Sequence, residues 1–192
     1  MKAVIFIDVQ KDFIDGALRN EKAIEVTPKI VDFAKECVEK GYSLYATRDT
    51  HEKNYLATLE GKKLPVEHCI EMSDGWMIDN RLMEVLNGNC TFIQKPTFGS
   101  FDLVDILDED QYKIDEINDF GLIKRTKYKN EFDEIILCGF VTDICVVSNA
   151  LLLRTKFPNT KITVMKDLCV GTTDENHEAA LKVMQSCQIE VI

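Results

Sequence analysis

Residues 2–8 read KAVIFID, in which five consecutive apolar residues end at Asp8. A short apolar run without polar alternation is typical of a strand that is buried on both faces, as in a parallel sheet covered by helices. Residues 134–139, EIILCG, repeat this pattern near the other end of the chain. Between and after these two runs, strand patterns alternate with helical ones. The alternation predicts an α/β fold, namely a three-layer α/β/α sandwich around a mainly parallel, Rossmann-like sheet.

The other elements are predicted from hydrophobic periodicity and from residues that begin or end helices. Thr27 as N-cap, Pro28 at the first helical position and Gly41 as the stop predict one helix. Residues 48–75 are polar with little periodicity, whereas residues 101–130 predict one or two short helices. The remaining predicted strands are Tyr42–Thr47, Thr91–Gln94, Lys161–Met165 and Ile189–Ile192, and the remaining predicted helices are Asp79–Leu86, Thr142–Phe157 and Asp174–Ser186.

Composition limits the classes of partner. The 192 residues include 23 Lys or Arg and 33 Asp or Glu, which gives a formal net charge of −10. Nucleic acid and anionic membrane surfaces are not expected partners, because the chain has no excess of cations to neutralise phosphates. No apolar run approaches the ~20 residues that cross a bilayer, and the run that ends at Asp8 is too short for a signal peptide. The length favours one domain over residues 1–192.

The seven cysteines are an odd, unclustered set without a Cys-x-x-Cys pair. Such a set argues against a disulfide framework or a zinc finger and predicts reduced thiols in the cytoplasm. Most of them lie on apolar strands and helices, where a cysteine is ordinarily part of the core packing.

Three chemically useful side chains follow predicted strands. Ligands bind to open parallel sheets beyond the carboxyl ends of the strands, where Asp8, Lys95 and Cys145 are expected. If Thr142 caps its helix, Cys145 falls at the third helical position, where free N–H groups and the helix dipole favour a thiolate. A nearby Lys95 ammonium would lower the pKa of the thiol further, and Asp8 would move protons. Each residue also has an ordinary explanation, as a turn residue, a surface charge or core packing.

A metal site is the second candidate feature. Asp49 and His51 are two residues apart, so in an extended segment both side chains project to the same side. His68 is the other histidine of the irregular region and completes a possible set of three ligands. His177 lies in a polar helix start and is expected to be exposed.

Three segments together carry a family resemblance: residues 7–13 (IDVQKDF), 95–101 (KPTFGSF) and 139–146 (GFVTDICV). In this order they resemble the isochorismatase-like cysteine hydrolases, a superfamily that includes nicotinamidases (pyrazinamidases), N-carbamoylsarcosine amidase and isochorismatase. The resemblance covers essentially the whole chain.

The resemblance implies roles for the residues at the strand ends. Cys145 would be the nucleophile, Asp8 the general acid and base, and Lys95 the cation that holds both in register. A non-proline cis peptide is implied at Phe140–Val141, and an oxyanion hole from the N–H groups of Val141 and Cys145. Isochorismatase proper lacks the nucleophilic thiol, so the presence of Cys145 favours amide hydrolysis through a thioester.

Asp-x-His followed by a later Pro-x-x-His-Cys or Pro-x-His-Cys resembles the metal motif of nicotinamidases. The implied ligands are Asp49, His51 and His68, and the implied cofactor is a divalent metal ion, zinc first, with manganese or iron as alternatives. The chain departs from the motif in two ways. Leu64 stands where an aromatic residue is common, and Glu67 is an extra residue before His68.

The leading hypothesis is therefore a metal-assisted amidase of nicotinamidase type, acting on a small heteroaromatic carboxamide that packs against Phe13 and Phe98. One alternative is a metal-independent hydrolase of small amides or ureido compounds in the same superfamily. Another is a binding module that has the fold without the activity. The family also implies a homo-oligomer.

Overall fold

The computed structural model describes residues 1–117, 123–127 and 132–192, and those residues form eight strands. The strands are β1 (Lys2–Ile7), β2 (Ser43–Asp49), β3 (Cys90–Lys95), β4 (Tyr112–Ile117), β5 (Ile123–Lys127), β6 (Glu134–Phe140), β7 (Lys161–Val170) and β8 (Glu190–Val191). Six of them form one sheet in the order β3-β2-β1-β6-β7-β8, and every neighbouring pair is parallel. The predicted parallel sheet is confirmed.

Helices cover the sheet. They are α1 (Lys11–Ile14), α2 (Glu21–Glu39), α3 (Leu59–Lys63), α4 (Asn80–Leu86), α5 (Phe101–Glu109), α6 (Val147–Lys156) and α7 (Asp174–Ser186). In one group α2 contacts α4 and α1, and in the other α6 contacts α5 and α7. The strands β1 and β6 are almost wholly buried between helices, as their apolar runs predict. The three-layer architecture is therefore confirmed as well.

The strand order reverses between β1 and β6. From β1 the chain proceeds to β2 and β3 on one side and returns to β6 on the other side of β1. A crevice opens beyond the carboxyl ends of two such strands, because their connections leave in opposite directions. Asp8 follows β1 and residues 141–146 follow β6, so both segments meet at this crevice.

The prediction that a helix begins at Thr27 is wrong, because α2 begins at Glu21. The side chain of Asn20 accepts hydrogen bonds from two backbone N–H groups of the first turn and is the actual N-cap. Pro28 lies inside the helix, where it lacks an N–H, and the Thr27 hydroxyl donates to the Ala23 carbonyl at 2.6 Å. Burial of an apolar face outweighs the lost backbone hydrogen bond, so a proline that is typical of a helix start here stands inside one.

Among the described residues of 101–130, Phe101–Glu109 form the helix α5, in agreement with the prediction of one or two short helices. The alternative of two helices does not hold for the residues of β4 and β5, which pair as antiparallel strands. Residues 112–114, YKI, alternate apolar and polar in the way typical of a strand. Residues 118–122 and 128–131, also covered by the prediction, lie outside the described residues.

Other boundaries differ less. The strand β7 continues to Val170 instead of ending at Met165, since Cys169 and Val170 still pair with β6. The region 48–75 contains α3 and one 3₁₀ turn, Tyr55–Ala57. Among the described residues no helix combines the length and the apolarity needed to cross a membrane.

Buried Glu134 forms an ion pair at the amino end of the sheet, at the opposite edge from the crevice. Its carboxylate lies 2.6 Å from Lys2 Nζ and accepts a hydrogen bond from the Thr163 hydroxyl at 2.7 Å. Burial alone would raise the pKa of Glu134, but the hydrogen bonds from Lys2 and Thr163 outweigh burial and lower it. We expect Glu134→Gln to reduce the free energy of unfolding by about 1–3 kcal/mol at neutral pH.

The sign of the pH dependence follows from the lowered pKa. The Glu134 contribution is present above the pKa of the unfolded chain and is lost as the pH falls through the folded-state pKa. Urea unfolding of wild type and Glu134→Gln at about pH 7 and about pH 3 should give a difference that shrinks in acid. An undiminished difference at the lower pH would contradict this account.

Candidate active site

Asp8, Lys95 and Cys145 meet in the crevice. Lys95 Nζ lies 2.7 Å from Asp8 Oδ2 and 3.3 Å from Cys145 Sγ. The Asp8 and Lys95 side chains are fully buried, and Cys145 is 4% exposed. The structure therefore brings the three predicted strand-end residues into direct contact.

The local backbone explains how Asp8 reaches this position. Asp8 has φ of +47°, in the left-handed region that aspartate tolerates better than β-branched residues. The Asp8 N–H donates to the Thr47 hydroxyl, which in turn donates to Asp8 Oδ1 at 2.7 Å. A sharp turn at the end of β1 and a threonine of β2 thus hold the carboxylate against Lys95.

The electrostatics favour a protonated thiol in the resting site. Burial raises the pKa of Cys145 well above its usual value, although the Lys95 ammonium opposes the shift and Asp8 adds to it. Burial also raises the pKa of Asp8 against the opposing pull of Lys95. Burial would lower the pKa of Lys95, but the negative charges of Asp8 and Asp49 raise it. Lys95 is therefore a charged ammonium, beside a thiol that needs a proton acceptor before it can attack.

The turn that carries Cys145 differs from the prediction. Residues 142–146 form a π-helical turn that leads into α6, and no side chain caps this turn. Thr142 is instead hydrogen bonded to His177 Nδ1 of α7, with 2.8 Å between Oγ1 and Nδ1. His177, predicted to be exposed, is half-buried. The peptide Phe140–Val141 just before the turn is cis, as the family resemblance implies.

Asp49, His51 and His68 form a buried cluster next to Lys95. Asp49 Oδ2 lies 3.0 Å from His51 Nε2 and 3.5 Å from His68 Nε2. One ligand atom from each residue falls within 4.8 Å of the others, a spacing at which a metal ion could be held. Asp49 Oδ1 also lies 3.1 Å from Lys95 Nζ, which joins the cluster to the thiol site.

The donor set fits a divalent ion such as Zn²⁺. His68 Nδ1 is 2.8 Å from the Val66 carbonyl, an arrangement that keeps the proton on Nδ1 and frees the lone pair of Nε2 for a metal. Two imidazoles and one carboxylate are the ligands of many catalytic zinc sites, which keep further positions open. Burial would raise the pKa of Asp49, but contacts with His51 and His68 lower it, so the carboxylate is ionised and ready to bind.

Sequence reasoning missed two residues of this cluster. Glu60 of α3 places Oε1 3.7 Å from His51 Nε2, and the ring of Tyr55 packs 4.6 Å from that of His51, centroid to centroid. Both lie in the region 48–75, where no periodicity or motif spacing indicates which side chains turn inward. Glu60 therefore offers an additional oxygen beside the three predicted ligands.

A cavity of about 440 Å³ joins the two groups of residues. It is lined by Cys145, by the metal-site residues Asp49, His68 and Glu60, and by a mostly apolar set that includes the predicted pocket residues Phe13 and Phe98 together with Val141, Leu18, Leu64 and Ile144. Phe13 is buried with its ring 5.8 Å from that of His68, whereas Phe98 is 43% exposed. The volume and lining suit a small organic molecule that reaches the thiol with one end and the metal site with the other.

The fold and the site define an α/β enzyme of the hydrolase class, with a buried thiol at the point where the strand order reverses. The chain belongs to the isochorismatase family, since the sequence profile of the Isochorismatase domain matches residues 2–192.

Individual relatives agree with this membership. The chain is 28% identical to a nicotinamidase from Schizosaccharomyces pombe over an alignment of 216 positions, which covers 99% of this chain and 92% of that protein. It is similar to the crystal structure of a nicotinamidase/pyrazinamidase from Bacillus subtilis, with a TM-score of 0.79, 25% identity, and coverage of 99% and 98% of the two chains. A pyrazinamidase from Pyrococcus horikoshii, solved in complex with zinc, shares the fold with a TM-score of 0.77 at 23% identity, covering 100% and 98%.

Proposed function

We propose that the protein is a cysteine-dependent amidohydrolase of nicotinamidase type, which converts a small heteroaromatic carboxamide such as nicotinamide to the acid and ammonia. The observation that carries the proposal is the contact of one buried ammonium, Lys95, with both the Asp8 carboxylate and the Cys145 thiol. The similarity to nicotinamidases over nearly the whole chain supports the choice of substrate.

In the proposed first half-reaction, Asp8 accepts the thiol proton while Cys145 Sγ attacks the carboxamide carbon. The negative charge passes from sulfur to the substrate oxygen, which the N–H groups of Val141 and Cys145 stabilise. Asp8 then returns the proton to the leaving nitrogen, ammonia departs, and a thioester to Cys145 remains.

In the second half-reaction, Asp8 accepts a proton from water, whose oxygen attacks the thioester carbon. The carbon–sulfur bond breaks, and the proton returns to sulfur to regenerate the thiol. Throughout, Lys95 stays charged, because its neighbours raise its pKa, and it stabilises whichever of Asp8 and Cys145 carries the negative charge.

We also propose that Asp49, His51 and His68 hold a divalent metal ion, zinc first, with manganese or iron as alternatives. The donor set and the zinc complex of the Pyrococcus horikoshii relative support this choice. When bound, the ion would supply a Lewis acid that holds the ring nitrogen of the substrate. Phe13 and Phe98 would then pack against the ring and direct its carboxamide toward Cys145.

Residues 1–192 are proposed to act as one catalytic domain, in the cytoplasm and as a homo-oligomer. All seven cysteines are free thiols, in keeping with a reducing compartment. Leu59 and Phe101 are 73% and 74% exposed, and contact with a second copy would remove such apolar side chains from water. Light scattering on the purified protein tests the assembly.

The proposed function is tested by ammonia release from a panel of amides led by nicotinamide and pyrazinamide. We expect release with the wild-type enzyme and none with Cys145→Ala. No release from any small carboxamide by the folded wild-type protein would overturn the proposal. Release from small amides that persists without metal would favour a metal-independent hydrolase.

Replacement of a metal ligand is expected to remove both the ion and most of the activity. His51→Ala leaves two of the three proposed ligands, so we expect bound zinc to fall from about one ion per chain to nearly none. His177→Ala is the matched control, since this histidine contacts Thr142 and is not among the clustered ligands. Elemental analysis of both variants checks the ligand set, and equal zinc loss in the two would contradict it.

A further inference from the structure

The Gln10 side chain makes the hydrogen bonds to the Asp49 backbone that a neighbouring strand would otherwise make. β1 pairs with β2 only as far as Phe6 opposite Ala46, so the backbone of Asp49 has no partner strand on that side. The Gln10 side chain fills this gap with both ends of its amide. Its Oε1 accepts from the Asp49 N–H at 2.7 Å, and its Nε2 donates to the Asp49 carbonyl at 2.9 Å.

The amide of Gln10 is fully used. The same Nε2 donates to the Trp76 carbonyl at 2.9 Å, and the side chain is completely buried. A donor and an acceptor that both engage one residue fix its backbone in position and in orientation. Because Asp49 is the shared member of the metal cluster, any movement of its backbone changes the distance to both histidines.

Asp12 has a similar relation to the other side of the cluster. Its Oδ2 accepts from the Cys69 N–H at 2.7 Å, and its Oδ1 accepts from the Ala17 N–H at 2.9 Å. The Cys69 carbonyl accepts from the His51 N–H at 3.0 Å. The peptide groups on either side of Cys69, which directly follows His68, are therefore tied to Asp12 at one end and to His51 at the other.

Close packing leaves the Asp12 carboxylate little freedom. A side chain at Gly75 would place a Cβ atom 2.1 Å from Asp12 Oδ2, so the backbone of Gly75 lies directly against the carboxylate. The Asp12 N–H donates to the Gly75 carbonyl at 3.0 Å. The two acceptor oxygens of Asp12 are thus held where the Cys69 and Ala17 N–H groups need them.

We propose that Gln10 and Asp12 are positioning residues for the metal site: Gln10 sets the backbone of Asp49, and Asp12 sets the backbone that follows His68. Neither side chain is one of the clustered ligands. Both lie on the short segment after Asp8. One stretch of chain therefore carries the proposed proton acceptor of the thiol and the two residues that position the metal ligands. The inference rests on the proposed function only through the presence of the metal.

The test measures zinc affinity directly. Zinc dissociation constants of the full-length protein are determined by competition with a chromophoric chelator, without any substrate. Gln10→Met keeps the length of the side chain and removes all three hydrogen bonds, and we expect it to weaken zinc binding about 10- to 100-fold. Asp12→Asn has one acceptor oxygen for two N–H groups and is expected to weaken binding in the same direction.

Gln111→Met is the matched control. Gln111 is also buried and also uses both ends of its amide on backbone groups, the Leu107 carbonyl at 3.1 Å and the Phe132 N–H at 3.2 Å. A merely structural role for Gln10 predicts that both variants lose thermal stability and that neither loses zinc selectively. The positioning role predicts that Gln111→Met keeps its zinc dissociation constant within about twofold of wild type.

Three results would contradict the positioning role of Gln10. Wild-type zinc affinity in Gln10→Met, equal weakening in Gln111→Met, or no zinc binding by the wild type would each overturn the inference. If Gln10→Met yields no folded protein, Gln10→Glu, which keeps the acceptor for the Asp49 N–H, is measured instead. Failure of the proposed function looks different, since the wild type would then bind zinc and hydrolyse no amide. Excess zinc should restore amidase activity to Gln10→Met and not to Cys145→Ala.

Discussion

Cys145→Ala is expected to lower kcat/KM for nicotinamide on the order of 10⁴-fold or more, the scale seen when an enzyme loses its nucleophile. Among the described thiols, that of Cys145 is the one hydrogen bonded to Lys95, with 3.3 Å between Nζ and Sγ. The loss should appear in kcat, because the substrate cavity and the metal ligands remain. Ammonia release, followed at substrate concentrations above and below KM, measures both parameters.

Cys37→Ala is the matched control for a cavity left by a buried thiol. Cys37 lies on α2, is fully buried, and has its pKa raised to about 11 by burial. We expect this variant to lose some thermal stability and to retain wild-type kcat. Zinc content should be unchanged in both variants, because the thiol of Cys145 is not one of the clustered ligands. Ammonia release by Cys145→Ala at more than about one per cent of the wild-type rate would mean that another group attacks the amide.

The strand-end residues could be predicted because the topology places them at one edge of the sheet. Apolar runs identify the strands β1 and β6, the shorter segment 91–94 indicates β3, and parallel strands present their carboxyl ends at one edge of the sheet. Asp8, Lys95 and Cys145 follow or end those strands, so they are expected at one edge, and the long buried side chain of Lys95 spans the remaining distance to Asp8 and Cys145. The pair Asp49 and His51 follows from the same rule, since β2 ends at Asp49.

What the sequence did not reveal depends on packing over longer distances. Glu60 and Tyr55 reach the metal cluster through a turn and a short helix that carry no periodic pattern. Thr142 is a residue type that commonly caps helices. Its hydroxyl is instead hydrogen bonded to His177 of α7, a contact that the local sequence does not indicate. The position of Cys145 near a helix start predicts an ionised thiol, yet burial, which local sequence does not report, raises the pKa of Cys145.

Lys95→Met is expected to lower both the activity and the free energy of unfolding, in each case more than the same substitution at an exposed lysine would. Lys95 has no exposed side-chain surface, and its Nζ lies 2.7 Å from Asp8 and 3.1 Å from Asp49. Removing one partner of a buried ion pair leaves the other charge uncompensated, which destabilises folded proteins by about 3–5 kcal/mol. Activity should fall at least about 10³-fold, because without the ammonium the pKa of Asp8 rises further and the protonated acid no longer accepts the thiol proton.

The pH dependence and a double variant distinguish this explanation from simple loss of packing. In Lys95→Met the folded-state pKa of Asp8 lies above its unfolded value, so stability is retained at low pH and is lost as the pH rises through that folded-state pKa. Urea unfolding should therefore show a larger loss of unfolding free energy, relative to wild type, at about pH 8 than at about pH 5.

Adding Asp8→Asn removes one uncompensated carboxylate and should recover part of the stability while leaving the enzyme inactive. Lys35→Met, whose side chain is 56% exposed beside Asp32, should unfold like wild type at both values. A deficit in Lys95→Met that is the same at both pH values and unaffected by Asp8→Asn would mean that Lys95 contributes packing and not charge.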